Sequence, residues 1–229
     1  MSTFIDLLIP SICLFCGKLE KRVCGFCESR IGFDPRLVFR ESLVGFASMS
    51  YTLDAKLLLR SFKELGESSL AYPIAQTMTP LLGCFEQVPT RLVPIPSNSR
   101  SIRERGFNPA EIIAREIAKQ VPSLRFENLL ARARQTLDQS KLNPSERRDN
   151  QQGSMVARVG TEQVLLIDDV VTTGATLKEA TQALEEAGHS VIGFLTFAET
   201  EAKRCNLTTQ ATLPADGGTT WNSKFPQKI

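Results

Sequence analysis

Apolar positions along the chain change their period several times, and each change marks a new element. In "NPAEIIAREIAKQV" the residues Ala110, Ile113, Ala114, Ile117, Ala118 and Val121 recur at i, i+3, i+4 spacing, which predicts an amphipathic helix. Asn108 stands at its N-cap, Pro109 at the first helical position and Glu111 at N3, so capping chemistry marks the same start as the period. "DAKLLLRSF" and "SSLAYPIAQTMTPLL" also read as helices, as does "GATLKEATQALEEAG", which Gly188 ends as a C-cap. By contrast, "RLVPIP", "QVLLID" and "SVIGFLTFA" are short apolar runs, the pattern of strands buried on both faces. Buried strands alternating with amphipathic helices predict an α/β domain built on a mostly parallel sheet.

The two ends of the chain do not follow this pattern. Residues 1–35 hold a cluster of cysteines, residues 36–200 the alternating elements, and residues 201–229 a stretch without periodicity that reads as a disordered tail. Trp221, the single tryptophan, lies in that tail. With 42% hydrophobic and 23% charged residues among 229, the chain has ample material for a core. No apolar run approaches the roughly 20 residues that span a bilayer. The start, "MSTFIDLLIP", carries Asp6 where a secretion signal carries lysine or arginine, so membrane insertion is not expected and the cytoplasm is.

Charge and cysteine spacing add chemistry to this outline. The net charge is only +2, yet residues 91–150 carry 12 Lys and Arg against 7 Asp and Glu, a local excess that suits phosphate-bearing partners or a solvated helical face. Cys13, Cys16, Cys24 and Cys27 form C-x2-C-x7-C-x2-C, with Gly17 and Gly25 at the turns. In a reducing compartment such a quartet predicts a closed, structural tetrahedral zinc site rather than disulfides. It would hold together a segment too small for a core of its own. Cys84 reads as helix packing, and Cys205 falls in the tail. His189, the sole histidine, follows the helix-ending glycine and is expected at the surface, which leaves no histidine-based triad.

The most informative stretch is "VLLIDDVVTTGAT", residues 164–176. A buried strand carries Asp168 and Asp169 to its carboxyl end, the edge where open α/β sheets bind ligands. No basic residue stands beside them in sequence, so a ligand and a metal are expected to neutralise the pair. Thr172, Thr173, Gly174, Ala175 and Thr176 then lead into a helix, bringing hydroxyls and free amides to a positive helix end. That arrangement suits a phosphate monoester, with the carboxylates gripping ribose hydroxyls directly or through Mg2+. A Walker B reading fails because no G-x4-G-K-[ST] occurs in the chain.

Residues 164–176 resemble the phosphoribosyl pyrophosphate (PRPP) motif of type I phosphoribosyltransferases. Together with "LVPIPSNSRSIRERGFNPAEIIA", "LLARARQTLDQSKLNPSERRDN" and the cysteine quartet, the likeness extends to the ComF/GntX family over roughly residues 10–198. Pro109 departs from it, standing where the family more often has Gln. The resemblance implies a type I phosphoribosyltransferase-like sheet flanked by helices, with a small N-terminal zinc-binding module.

It also implies roles. Asp168 and Asp169 would meet the ribose hydroxyls with Mg2+, and Thr172 to Thr176 would cradle the 5-phosphate. Ser97, Arg100, Arg103 and Arg105 would face pyrophosphate, with Arg105 counted beside the two aspartates as catalytic. Arg132, Arg134, Gln139 and Arg147 would belong to a flexible loop that closes over the site. Purine-salvage members carry an acidic residue where this chain has Thr172, which argues against a 6-oxopurine acceptor. Three functions stay open: transfer of the phosphoribosyl group to a nitrogen nucleophile, a competence or DNA-uptake role with single-stranded DNA or a helicase as partner, and PRPP sensing without turnover. Residues 91–150 contain only Phe107 and Phe126 as aromatics, few platforms for base stacking.

Overall fold

A computed structural model of the chain describes residues 12–29, 33–40, 42–87, 89–133 and 155–200. A short helix α1 (Gly25–Glu28) closes the cysteine loop. Then come β1 (Arg36–Arg40), β2 (Leu43–Ser50), α2 (Leu53–Glu64), α3 (Ala71–Met78), β3 (Arg91–Pro94), α4 (Ser99–Arg105) and α5 (Pro109–Gln120). Short strands β4 (Arg125–Phe126), β5 (Leu130–Arg132) and β6 (Met155–Ala157) precede β7 (Gln163–Val171), α6 (Ala175–Glu186) and β8 (Ser190–Glu199).

The main sheet has the order β1-β2-β8-β7-β3-β4. Only the β1–β2 pair is antiparallel; β2–β8, β8–β7, β7–β3 and β3–β4 are parallel. The mostly parallel sheet read from the sequence is therefore present, extended by an antiparallel hairpin that the apolar pattern did not announce. β5 and β6 make a separate antiparallel pair.

Period two along β7 explains the layering. Leu165 and Ile167 pack with α2, α3 and α5 through Leu58, Phe62, Ile74, Met78, Ile113 and Ile117. Val164 and Leu166 pack on the opposite face with Leu177, Ala180 and Leu184 of α6. Residues 164 to 167 are all fully buried, as a central strand between two helical layers must be. The predicted stripe of α5 faces the first layer: Ala110, Ile113, Ala114 and Ile117 are buried, and Ala118 and Val121 pack at its margin.

The helix ends show why some signals translate into structure and others are diverted. Gly188 adopts φ +95°, and the amides of Gly188 and His189 return to the carbonyls of Glu185 and Leu184, a Schellman close. Asn108 occupies the N-cap of α5 but makes no capping bond. Its amide instead donates to the Ile95 carbonyl and its oxygen accepts from Ser97 Oγ, both at 3.0 Å, tying the loop after β3 to the helix. His189 is buried, not at the surface as expected. Its Nδ1 accepts from the Glu162 amide at 3.2 Å and its Nε2 lies 2.8 Å from the Arg158 carbonyl, so it fastens the turn before β7.

Among the described residues, no helix is long and apolar enough to cross a membrane.

Candidate functional site

The cysteine loop is built locally. The amide of Gly17 returns to the Cys13 carbonyl at 3.0 Å, with Gly17 at φ +73°, and the amide of Cys24 donates to Cys13 Sγ at 3.4 Å. Ligand atoms of Cys13, Cys16, Cys24 and Cys27 all lie within 4.8 Å of one another, and Cys16 Sγ is 3.6 Å from Cys24 Sγ. A tetrahedral zinc with bonds of about 2.3 Å separates its sulfurs by about 3.8 Å, so the quartet fits that ion. Burial pushes the Cys13 thiol up, but amide hydrogen bonds from Cys24, Cys16 and Phe15 outweigh it and bring Cys13 down to about 6. Cys27 is pushed up to about 12 by burial and by the neighbouring sulfurs. The crowding of four sulfurs suits a cation among them. Cys13, Cys24 and Cys27 are buried in the same apolar cluster as α2 and α3, and Arg22 reaches Glu67 at 3.1 Å.

A second, polar site lies at the carboxyl end of the sheet. β7 runs through both aspartates to Val171, so Asp168 and Asp169 belong to the strand itself, and the turn begins two residues later than their placement at its tip would have it. The cleft, about 210 Å³, gathers Asp168, Asp169 and Thr176 from the β7–α6 unit. Ser97, Asn98, Arg105 and Asn108 contribute from the segment after β3, and Arg132 from β5.

Local chemistry sets each position. Asn98 caps α4 by accepting from the Ser101 amide at 2.7 Å, and Gly106 at φ +84° ends that helix, so Arg105 is delivered to the cleft. Arg132 Nε donates to the Pro96 carbonyl at 3.0 Å. Asp168 Oδ1 accepts from the Asp169 amide at 2.9 Å.

No sequence signal pointed to Lys63, which stands in the last turn of α2 and reaches Asp169 Oδ2 at 2.7 Å. The pair thus has an internal cation, supplied from more than a hundred residues away, and the expectation that nothing but ligand and metal neutralises it is corrected for Asp169. Asp168 makes no ion pair among the described residues. Burial and the neighbouring Asp169 charge raise it from 3.8 to about 8, against weaker opposing effects of the Asp169 amide, Lys63 and Arg132. A cation-ready carboxylate beside oxygen donors fits Mg2+, which takes one or two carboxylates and completes its shell from water and phosphate.

Other expected residues are distributed unevenly around this cleft. Thr172 and Thr173 are exposed on the loop before α6, Gly174 is buried at φ +87°, and Ala175 opens the helix. Arg100 points outward, paired with Glu104 at 2.8 Å, and Arg103 is exposed on the same helix; neither lines the cleft. Arg134, Gln139 and Arg147 fall outside the described residues.

A mostly parallel sheet with an acidic pair and a hydroxyl-rich loop at the end of its central strand defines a phosphoribosyltransferase-type α/β protein. Residues 101–211 match the phosphoribosyl transferase domain family. That domain, the cysteine quartet and homology to curated competence and DNA-utilization proteins together agree with the resemblance to the ComF family. It is 27% identical over 107 residues to competence protein F of Haemophilus influenzae, a match spanning 44% of this chain and 47% of that protein, so about half of that relative's length is covered. It is 26% identical over 192 residues to the DNA utilization protein YhgH of Salmonella typhimurium, across 80% of this chain and 81% of that one. Solved structures with similarity include the adenine phosphoribosyltransferase of Thermoanaerobacter pseudethanolicus, with TM-score 0.39 and 11% identity over 59% of this chain and 71% of the other. The adenine phosphoribosyltransferase of Trypanosoma brucei gives TM-score 0.38 and 12% identity over 80% and 97%.

Proposed function

We propose that the cleft binds PRPP with Mg2+ and that the protein transfers the phosphoribosyl group to a nitrogen nucleophile. The observation that carries the reading is the Asp168–Asp169 pair near the carboxyl end of β7, separated by Val170 and Val171 from the loop that opens α6 and sharing one cleft with Arg105 and Arg132. Asp168 and Asp169 would hold the ribose hydroxyls, and residues 172–176 would receive the 5-phosphate at the helix start. Arg105 would meet pyrophosphate, where its fixed charge stabilises the oxygens that become negative as the C1 bond breaks. Bound Mg2+ would supply additional positive charge to the same leaving group. Arg132, tied to Pro96, would hold the side of the cleft where water must be kept out. Zinc at the cysteine quartet would be structural, because four thiolates leave it no open position. PRPP is an intracellular metabolite, so the reading carries a cytoplasmic location with it.

The test is calorimetric titration of zinc-loaded protein with PRPP, with and without Mg2+. Mg2+-dependent binding is expected, followed by pyrophosphate release when a suitable acceptor is added. Absence of binding by a folded protein would overturn the reading; binding without release across acceptor classes would favour PRPP sensing.

A second reading, contact with single-stranded DNA or a helicase, draws on relatives named for competence and DNA utilization. It is also served by Arg100 and Arg103, which lie exposed outside the cleft in the locally basic stretch. Salt-sensitive binding of a single-stranded oligonucleotide that weakens in Arg100→Ala/Arg103→Ala would support it.

A further inference from the structure

Arg40 is buried, although it carries a charge and none of the roles above uses it. It sits at the end of β1, in the hairpin that the apolar pattern did not reveal. Its guanidinium ties the loop between β7 and α6 to the end of β8. Nε donates to the Thr172 carbonyl at 2.7 Å. Nη2 donates to Glu199 Oε2 and to the Thr200 carbonyl, both at 2.8 Å, and Nη1 to the Phe39 carbonyl at 2.9 Å. Glu199 is held in turn by Arg36 at 3.6 Å, and the Thr200 amide donates to the Val171 carbonyl at 3.0 Å.

The aliphatic stem is engaged as closely as the head. Gly174 adopts φ +87°, and a Cβ added there would stand 2.7 Å from Arg40 Cβ and 3.2 Å from its Cγ. Glycine is required at that position both by its backbone angle and by the arginine stem beneath it. The guanidinium therefore fixes the carbonyl at one end of the loop, and the stem packs under Gly174, the residue just before α6.

A trans peptide points its carbonyl and its amide in opposite directions, and no cis peptide bond occurs among the described residues. With the Thr172 carbonyl held on Arg40, the Thr173 amide is directed away from the guanidinium. We propose that Arg40 is the positioning residue of the phosphate loop: it binds no ligand itself, is absent from the cleft lining, and orients the amides of residues 172–176 for a phosphate monoester. This rests on the PRPP reading of the cleft and adds the part of the protein that sets its geometry.

The test separates the two halves of the ligand. Ribose 5-phosphate reports on the loop, and inorganic pyrophosphate with Mg2+ reports on the arginine side. Arg40→Met keeps the stem and removes the donors. It is expected to weaken ribose 5-phosphate binding by about tenfold or more while pyrophosphate affinity stays within about twofold. Should Arg40→Met fail to fold, Arg40→Lys is judged by the same split, since a single ammonium cannot serve the Thr172, Glu199 and Thr200 acceptors together. Equal loss for both ligands, or no loss for either, would overturn the proposal. If the wild type binds neither ligand, the PRPP reading falls and this inference falls with it; if it binds both and Arg40→Met shows no split, only this inference falls.

Discussion

The cysteine loop and the aspartate cleft both gather groups able to hold a cation, yet they are made in opposite ways. All four sulfurs come from fifteen consecutive residues, Cys13 to Cys27, and the turns between them are set by local amide-to-carbonyl and amide-to-sulfur bonds. The cleft draws Lys63 from α2, Arg105 from α4, Arg132 from β5 and the aspartates from β7, so it exists only once the whole sheet has formed. A local site can be recognised by spacing. A distributed site shows its neighbours only through tertiary structure, and its charge balance depends on them.

The largest effect is expected where a cation does the work of a core. Replacing Cys13 and Cys16 together by serine should abolish zinc retention and destabilise the protein by several kcal/mol, since structural zinc carries on the order of 10 kcal/mol of folding free energy in small modules. Elemental analysis should find one zinc per wild-type chain and none in the variant, with a lower melting temperature. Because Val23 and the cysteines share a cluster with α2 and α3, the loss should be felt beyond the loop itself. A variant that loses metal but melts like wild type would show the loop to be energetically separate.

Lys63→Met sharpens the comparison from the other side. It leaves Asp169 buried without its partner, which should cost about 1–3 kcal/mol in metal-free protein. Mg2+ should recover part of that loss, because a second carboxylate becomes free to take the ion. Denaturant melts of both proteins with and without Mg2+ measure this directly. A variant as stable as wild type, with no response to Mg2+, would contradict the role given to Lys63.

A smaller effect follows from Asp168. Its folded-state pKa, about 8, lies above the ordinary 3.8, so between those values the folded protein binds more protons than the unfolded chain. Stability contributed by this group is therefore fully present below about pH 4 and declines as the pH rises toward 8. Mg2+ should stabilise the protein more at pH 8 than at pH 5, and Asp168→Asn should remove this slope. Melting curves across that range with an unchanged slope in Asp168→Asn would assign it to other groups.

Much of the fold was legible because burial has a period. The stripe of α5, the buried run of β7 and the glycine that closes α6 all carry their reason in the sequence. The β1–β2 hairpin was not legible: Phe39 and Val44 are exposed while Val38 and Leu43 are buried, so its apolar residues fall on both sides and mark no single face. Asn108 shows the limit of capping signals, since a stronger demand from Ile95 and Ser97 takes its side chain. His189 shows the limit of position, since a residue next to a surface glycine is turned inward by two backbone partners. Lys63 and Arg40 lay beyond reach because nothing in "RSFKE" or "LVFRE" says which distant carboxylate or carbonyl the cation will meet.

If the proposed function holds, the two aspartates form a ligand site and not merely part of a strand. The most direct measurement is PRPP titration of Asp168→Asn/Asp169→Asn beside wild type, each with Mg2+, after circular dichroism and zinc content show both to be folded. Wild type is expected to bind PRPP in a Mg2+-dependent way, and the variant to lose that binding. Equal affinity in the two proteins would contradict it.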